Sequence, residues 1–445
     1  YNYKTKMTKK IFIIGAGRSA SSLIKYLINV AVENNFELIV GDTDLNLVKN
    51  KISHNQSVNA IHFDVFNDDQ RIEEIQNADI VVSMLPANLH YKVALDCLKY
   101  NKNLVTASYV SKEIKSLNEE AKKRGIILLN EIGLDPGIDH MSAMKVIDEI
   151  QSNGGVIKSF KSYCGGLIAD EYDNNPWKYK FTWNPKNVIN AGKGISKYLL
   201  DSKVETIPYN TLFNKIEKVK IYDNKIFESY INRDSLKYKD IYGISNVSTL
   251  LRGTLRKKNF CESWDLLVKI GLTDYKLKIN TESLSYKEFL YSLLSIKIKS
   301  LDEYLKLKYN ASEIAIDNLK WLGFLSNSPI NLGIVSPGEI LYSLLKNKWQ
   351  LDENDKDMIV MHHEFKYLLG KKKFEVHSSF ILNGEDQIYT AMSKTVGLPV
   401  GIATKLILNN KINQRGVIIP IYKNIYDPIL FELKSYGINF LTKFI

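Results

Sequence analysis

Few cysteines, no long apolar run and no block of like charge: these shortages narrow what this 445-residue chain is. Its three cysteines, Cys97, Cys164 and Cys261, are odd in number and far apart, which excludes a disulfide scaffold and a zinc site of paired cysteines. A reducing compartment is the expectation. No stretch of about 18 uncharged apolar residues occurs, so no membrane span is expected; the best candidate, 387–409, is interrupted by Lys394, Gly397, Pro399 and Lys405. The opening YNYKTKMTKK has no apolar signal core and begins with Tyr1, leaving open an added leader, a misplaced start or a cut from a longer polypeptide. His362, His363 and His377 lack the spacing of a metal site, so no metal is expected. The net charge of +11 comes from lysines scattered through the text, without a basic block, finger or helix-turn-helix pattern, so neither nucleic acid nor a membrane is an expected partner.

What is present reads as a globular protein: 45% hydrophobic and 24% charged residues, at a length that suits about two or three domains. KIFIIGAG at 10–17 is the apolar, β-branched run of a buried parallel strand ending in glycine. A helical spacing at 18–30 follows, then strands at 36–40 and 60–63, a helix at 70–75, a strand in 79–86, a helix at 88–100, a strand at 102–106, a helix at 111–124 and a strand at 125–130. Strands alternating with helices predict a doubly wound α/β unit with a parallel sheet covered on both faces. The first alternating region ends near Glu131. Beyond about 155 short alternating stretches predict a largely antiparallel α+β domain, and 285–350 reads as a helical insertion.

Gly15-Ala16-Gly17-Arg18-Ser19-Ala20 is a G-x-G-x-x-A between predicted strand and helix. Gly15 allows the tight turn, Gly17 leaves room for a pyrophosphate, and Ala20 permits close helix–sheet packing. Asp42, at the end of the second strand, is placed to accept from both adenosine ribose hydroxyls. It would repel a 2′-phosphate, and no arginine follows in Asp42-Thr43-Asp44, so NAD is favoured over NADP. A turn or helix-capping acid is the competing reading. Asp64, after the third strand, reads equally as an adenine contact or a loop acid.

The second signal is Asn130-Glu131-Ile132-Gly133-Leu134-Asp135-Pro136-Gly137-Ile138-Asp139-His140, at the carboxyl edge of the sheet where doubly wound folds bind ligands. Asp135 reads as a general base or amine anchor. For Asp139 and His140 the structural reading leads: a helix cap and a side chain packed in the first turn.

Glu131 to His140, with Ser162-Tyr163-Cys164-Gly165-Gly166-Leu167, Tyr179-Lys180-Phe181-Thr182-Trp183, Asn232-Arg233-Asp234-Ser235, Leu251-Arg252-Gly253-Thr254-Leu255-Arg256 and the closing Thr395 to Ala403, resembles the glutamate-forming saccharopine dehydrogenases, in order and from about residue 9 onward. The resemblance implies a dinucleotide-binding Rossmann domain at 7–131 completed by the C-terminal segment 395–445, a mixed α/β substrate and dimerisation domain at 132–282 and 355–394, and a helical insertion at 283–354. It implies oxidation of saccharopine by NAD(P) and water to L-glutamate and 2-aminoadipate 6-semialdehyde, and a homodimer. Residence is expected to be cytoplasmic, or in the mitochondrial matrix if the chain is half of a longer eukaryotic polypeptide.

Under that resemblance Asp135, Tyr109 and Cys164 are the catalytic candidates, and Ser108, Tyr109, Asp135, Arg233, Arg252, Thr254 and Arg256 bind substrate. Gly15, Gly17, Arg18, Ser19, Ala20, Asp42, Thr43, Asp64, Leu85, Thr106, Gly133, Leu134 and Trp183 hold the cofactor. Chemistry supports part of this, because a tricarboxylate needs several cations, and arginine's planar fork suits carboxylates. For Cys164 a buried hydrophobe is the competing reading, and for Arg252 and Arg256 a strand-surface charge, since Lys257-Lys258 continues the basic run where the family more often has an aromatic. Two other functions stay open: a carboxynorspermidine-type amine dehydrogenase, against which the paired arginines argue, and a non-catalytic nucleotide-binding protein.

Overall fold

The computed structural model describes residues 8–52, 55, 58–222, 225–295 and 300–445. Met7, where the dinucleotide domain was expected to begin, and the rest of the opening segment lie outside them. The chain divides into two compact units, residues 1–153 with 384–440, and residues 154–383 with 441–445.

In the first unit, strands β1 (Lys10–Ile14), β2 (Glu37–Asp42), β3 (Val58–His62), β4 (Ile80–Ser83), β5 (Asn103–Val105) and β6 (Ile127–Leu129) form a parallel sheet, and Gly416–Ile418 adds a seventh strand beside β6. The order runs from Gly416–Ile418 through β6, β5, β4, β1 and β2 to β3. Ile11 to Ile14 and Ile80 to Val82 are wholly buried, as strands covered on both faces require. Helix α1 (Ser21–Asn34) buries Leu23, Ile24, Leu27 and Val30. It packs on helix Ala391–Leu408, where a Cβ on Gly397 would stand 2.8 Å from the Leu23 nitrogen. By length and composition that second helix could cross a membrane, but 78% of its apolar window is buried in the protein, as in a core helix.

The second unit holds a mixed sheet ordered Glu217–Ile221, Lys225–Ile231, Thr249–Arg256, Val156–Ile168, Asp357–Leu369, Lys372–Asn383, Leu441–Phe444, with Ile195–Leu200 attached to Thr249–Arg256 and Lys203–Pro208 paired in turn with Ile195–Leu200. Only Thr249–Arg256 and Val156–Ile168 run parallel within it. Helices Tyr286–Leu294, Leu301–Tyr309, Glu313–Leu322 and Pro337–Lys348 bear out the helical run expected there. Two start with capping boxes, Ser285 with Glu288 and Ser336 with Glu339, which satisfy the otherwise unpaired first N–H groups.

The unit boundaries fall elsewhere than the sequence suggested. Helix Ile138–Ser152 belongs to the first unit because it packs against helix Lys423–Leu433, where the Tyr426 hydroxyl donates to Asp148 at 2.5 Å. Leu441–Phe444, expected in the dinucleotide domain, pairs with Lys372–Asn383 in the second unit. The helices of 283–354 stand in sequence between Thr249–Arg256 and Asp357–Leu369 of the second sheet and share one core with it. Residues 296–299 of that stretch lie outside the description.

Candidate active site

Within the first unit the glycine loop leaves β1 at Gly15, whose φ of +100° suits glycine and whose added Cβ would stand 3.1 Å from the Met84 backbone. A Cβ on Gly17 would meet nothing within 4 Å, so the backbone there is open to a bulky anion. Arg18–Ala20 forms one 3-10 turn that runs into α1, with Ala20 buried as close packing requires and Arg18 exposed. These residues fit a dinucleotide pyrophosphate, the helix start supplying N–H groups and the positive dipole end.

Asp42 takes the turn-forming role weighed for it and also holds the glycine loop. Its Oδ2 accepts from the Ala16 N–H at 2.7 Å and so braces the glycine loop, while Oδ1 accepts from Asp44 N–H at 3.0 Å and Thr43 Oγ1 at 3.3 Å. Asp44 caps helix Leu45–Lys51. Asp64 accepts from the Phe66 N–H at 2.9 Å, the turn-forming role of a loop acid. Leu85 lies half-buried in the turn after β4.

The acid motif leaves β6 and folds back on itself. Glu131 takes φ +55°, the Asp135–Pro136 bond is cis, and Gly137 takes φ +148°. Gly133 donates to the Pro136 carbonyl, and a Cβ on Gly137 would stand 2.1 Å from the Gly133 oxygen, so glycine is obligatory there. Leu134 is buried beside this turn. Asp139 accepts from the Gly137 N–H at 2.6 Å, and His140, fully buried, pairs with Glu131 at 2.8 Å. His140 follows the structural reading, whereas the helix cap is Gly137 and Asp139, inside the first turn, bonds back to it. The other Glu131 oxygen accepts from the Val110 N–H at 3.0 Å, tying this motif to the segment after β5.

That tie brings two candidates together: the Tyr109 hydroxyl donates to Asp135 Oδ1 at 3.0 Å. Ser108, the neighbour of Tyr109, is held from below by a residue the sequence did not single out. His90, 1% exposed, spans Ser83 Oγ at 2.8 Å and Ser108 Oγ at 2.7 Å, with Thr106 Oγ1 at 3.3 Å. Burial pushes its imidazole down to about 4, so it is neutral at pH 7 and one ring nitrogen accepts while the other donates. Only its place at a predicted helix start was visible in sequence; its neighbours come from two other strand ends.

In the second unit Arg233 adopts φ +53°, and its carbonyl accepts from Lys197 N–H at 2.9 Å. Asn232 N–H donates to the Arg252 carbonyl at 2.7 Å, so the two arginine motifs lie side by side. Arg252 is buried with its guanidinium 4.4 Å from the Tyr238 ring centre. Thr254 pairs with Cys164 across the parallel strands, and Cys164 is buried. Trp183 is half-buried against the aromatic core.

Arg256, an expected substrate contact, lies among aromatic residues of the second unit's core. It is 3% exposed and lies 5.1 to 5.6 Å from the ring centres of Tyr179, Phe260 and Tyr230. Its nitrogens donate to the Leu255 carbonyl and the Tyr230 hydroxyl. The cation therefore sits in a box of aromatic faces, which attract it through their quadrupoles. It is not a strand-surface charge. A cavity of about 820 Å³, walled by Lys158, Lys161, Lys366, Lys373, Tyr367 and Phe374, contains none of the predicted substrate or cofactor residues.

Two family descriptions match in tandem: the saccharopine dehydrogenase NADP binding domain over residues 11–129 and the saccharopine dehydrogenase C-terminal domain over 133–438. The saccharopine dehydrogenase [NADP(+), L-glutamate-forming] of Saccharomyces cerevisiae is 34% identical, over 98% of this chain and 99% of its own. The mitochondrial alpha-aminoadipic semialdehyde synthase of Mus musculus is also 34% identical over 98% of this chain, which spans only 48% of that longer protein. A solved saccharopine dehydrogenase (L-Glu forming) from Saccharomyces cerevisiae superposes with a TM-score of 0.89 at 32% identity, covering 98% of this chain and all of its own. The chain belongs to the saccharopine dehydrogenase family.

Proposed function

We propose that the protein oxidises saccharopine with a nicotinamide dinucleotide and water to L-glutamate and 2-aminoadipate 6-semialdehyde. The observation that carries this is the Tyr109–Asp135 pair at the carboxyl edge of a parallel sheet, in the same unit as a glycine loop shaped for a dinucleotide. The names of the full-length yeast relatives supply the substrate.

The bridging ammonium of saccharopine must lose a proton before the C–N carbon can give up a hydride. Asp135, hydrogen-bonded by Tyr109, binds that ammonium and influences where the proton goes. The nicotinamide, when bound, accepts the hydride. Water then adds to the imine carbon and the carbinolamine collapses, releasing glutamate as the amine. Arg233 and Arg252 hold substrate carboxylates, as bidentate arginines do. Ser108 and Thr254 complete the substrate contacts, and Cys164 lines the site.

The finer point is the dinucleotide. The fungal relatives carry NADP(+) in their names, whereas Asp42 accepts readily from the ribose diol of NAD. We propose that this chain binds both. A homodimer and cytoplasmic residence complete the reading, to be checked by sedimentation and by cell fractionation.

The test is absorbance at the reduced-nicotinamide band on mixing the protein with saccharopine and each dinucleotide in turn. Growth with both, with glutamate among the products, is expected. Silence with both in folded protein would sink the activity, and growth with one alone would sink the dual cofactor.

A further inference from the structure

No arginine follows Asp42 in Asp42-Thr43-Asp44 to meet a 2′-phosphate. The structure brings a cation within electrostatic reach of Asp42 from the end of the following helix. Lys51 closes helix Leu45–Lys51, and its Nζ donates to the Gly17 carbonyl at 2.8 Å and lies 2.5 Å from Ser21 Oγ. Both partners are uncharged oxygens on the glycine loop and the first turn of α1. The Asp42 carboxylate, which holds the same loop at Ala16, acts on this ammonium electrostatically. Burial opposes that attraction and lowers the ammonium to about 8.

A lysine in the last turn of a helix is favoured by the helix dipole alone, and Lys49 shares that turn. The dipole does not explain why Lys51 reaches across to the glycine loop. A half-buried ammonium resting on neutral oxygens gains most from an anion, and a phosphate monoester offers strong acceptors. The adenosine ribose of a bound dinucleotide sits where Asp42 stands, at the end of the second strand.

We propose that Lys51 is the specificity-determining cation for an adenosine 2′-phosphate, offsetting the repulsion of Asp42 and donating to the phosphate, so that the chain binds dinucleotides with and without that group. The inference rests on the dinucleotide site of the proposed function and deepens it. NADP selection here comes from a lysine braced on the phosphate loop, in place of an arginine after the acid.

The experiment is direct binding of NADPH and NADH to the full chain by titration calorimetry, for the native protein, Lys51→Gln and Lys51→Met. Glutamine keeps a donor for Gly17 and removes the charge. Lys51→Gln should weaken NADPH binding by about 10- to 100-fold, the usual loss for a charge-assisted phosphate contact, and NADH binding by less than about 2-fold. Lys51→Met should show the same selectivity, and retained NADH binding reports that each variant is folded. Equal weakening of both ligands in Lys51→Gln, or unchanged NADPH affinity, overturns the assignment. Native protein that binds NADH and not NADPH overturns it as well. Native protein that binds neither removes the dinucleotide site itself, a result distinct from the others.

Discussion

The first unit places its chemistry by backbone hydrogen bonds, and the second places its cations on aromatic rings. Asp42 accepts from Ala16 and Asp44, Glu131 from Val110, and Asp139 from Gly137, each an acid bonded to a main-chain N–H close to a strand end. Arg252 and Arg256 instead lie over Tyr238, Tyr179, Tyr230 and Phe260, which come from separate segments. Acids bound to local backbone are written in short motifs. Cations held by distant rings are not, and their roles are read only after folding.

The strongest way to break this contrast is to remove the acid. Asp135→Asn keeps the shape and a bond to Tyr109 but loses the charge, and kcat/KM for saccharopine should fall about 1,000-fold, within the range of general acid–base contributions. A loss below about 10-fold would move proton handling elsewhere. Next in size is the turn that carries Asp135. Gly137→Ala must find room for a Cβ 2.1 Å from the Gly133 oxygen, and should cost roughly 3–4 kcal/mol in urea unfolding. An unchanged midpoint would show that the turn gives way.

The buried imidazole gives a similar magnitude through pH. His90 binds a proton more weakly folded, at about 4, than unfolded, at about 6.5. Its contribution is therefore fully present above pH 6.5, declines as pH falls through that value, and is exhausted near pH 4. The difference is on the order of 3 kcal/mol. His90→Gln should flatten the unfolding free energy between pH 7 and pH 5 relative to native protein; parallel curves would remove the imidazole as the cause.

Two smaller effects sharpen the second unit. Arg233→Asn tolerates the left-handed backbone and removes the cation, so the saccharopine KM should rise about 10- to 100-fold with cofactor affinity unmoved. An unchanged KM would take Arg233 out of the substrate contacts. Arg256→Met fills a similar volume inside its aromatic box, and stability should change by no more than about 1 kcal/mol, because a buried charge repays little of its desolvation. A saccharopine KM that rose sharply in this variant would return Arg256 to the substrate contacts expected of it.

Legibility followed the range of the forces involved. β1 was readable because a strand buried on both faces is continuously apolar, though its ladder stops at Ile14 and the glycines beyond serve the turn. The helix expected at 111–124 is broken at Leu117 into Lys112–Ser116 and Asn118–Lys123, which apolar spacing alone does not reveal. Leu441–Phe444 is exposed at every residue, so no burial pattern announced its partner, and backbone pairing with Lys372–Asn383 decided its unit. Helix Ile138–Ser152 was visible as a helix, but an amphipathic pattern does not say which core it will join.

By itself, then, the sequence determined the α/β class, the glycine loop with Asp42, and the Asp135 turn, because each depends on residues close together in the chain and on φ values that few residues adopt. Only the tertiary structure decided that His90 lies beneath Ser108, that Lys51 reaches Gly17, and that Arg256 is enclosed by Tyr179, Tyr230 and Phe260. Apart from Phe260, four residues from Arg256, those neighbours meet through packing and strand order across longer separations, and single-sequence periodicity carries no record of which surfaces will touch.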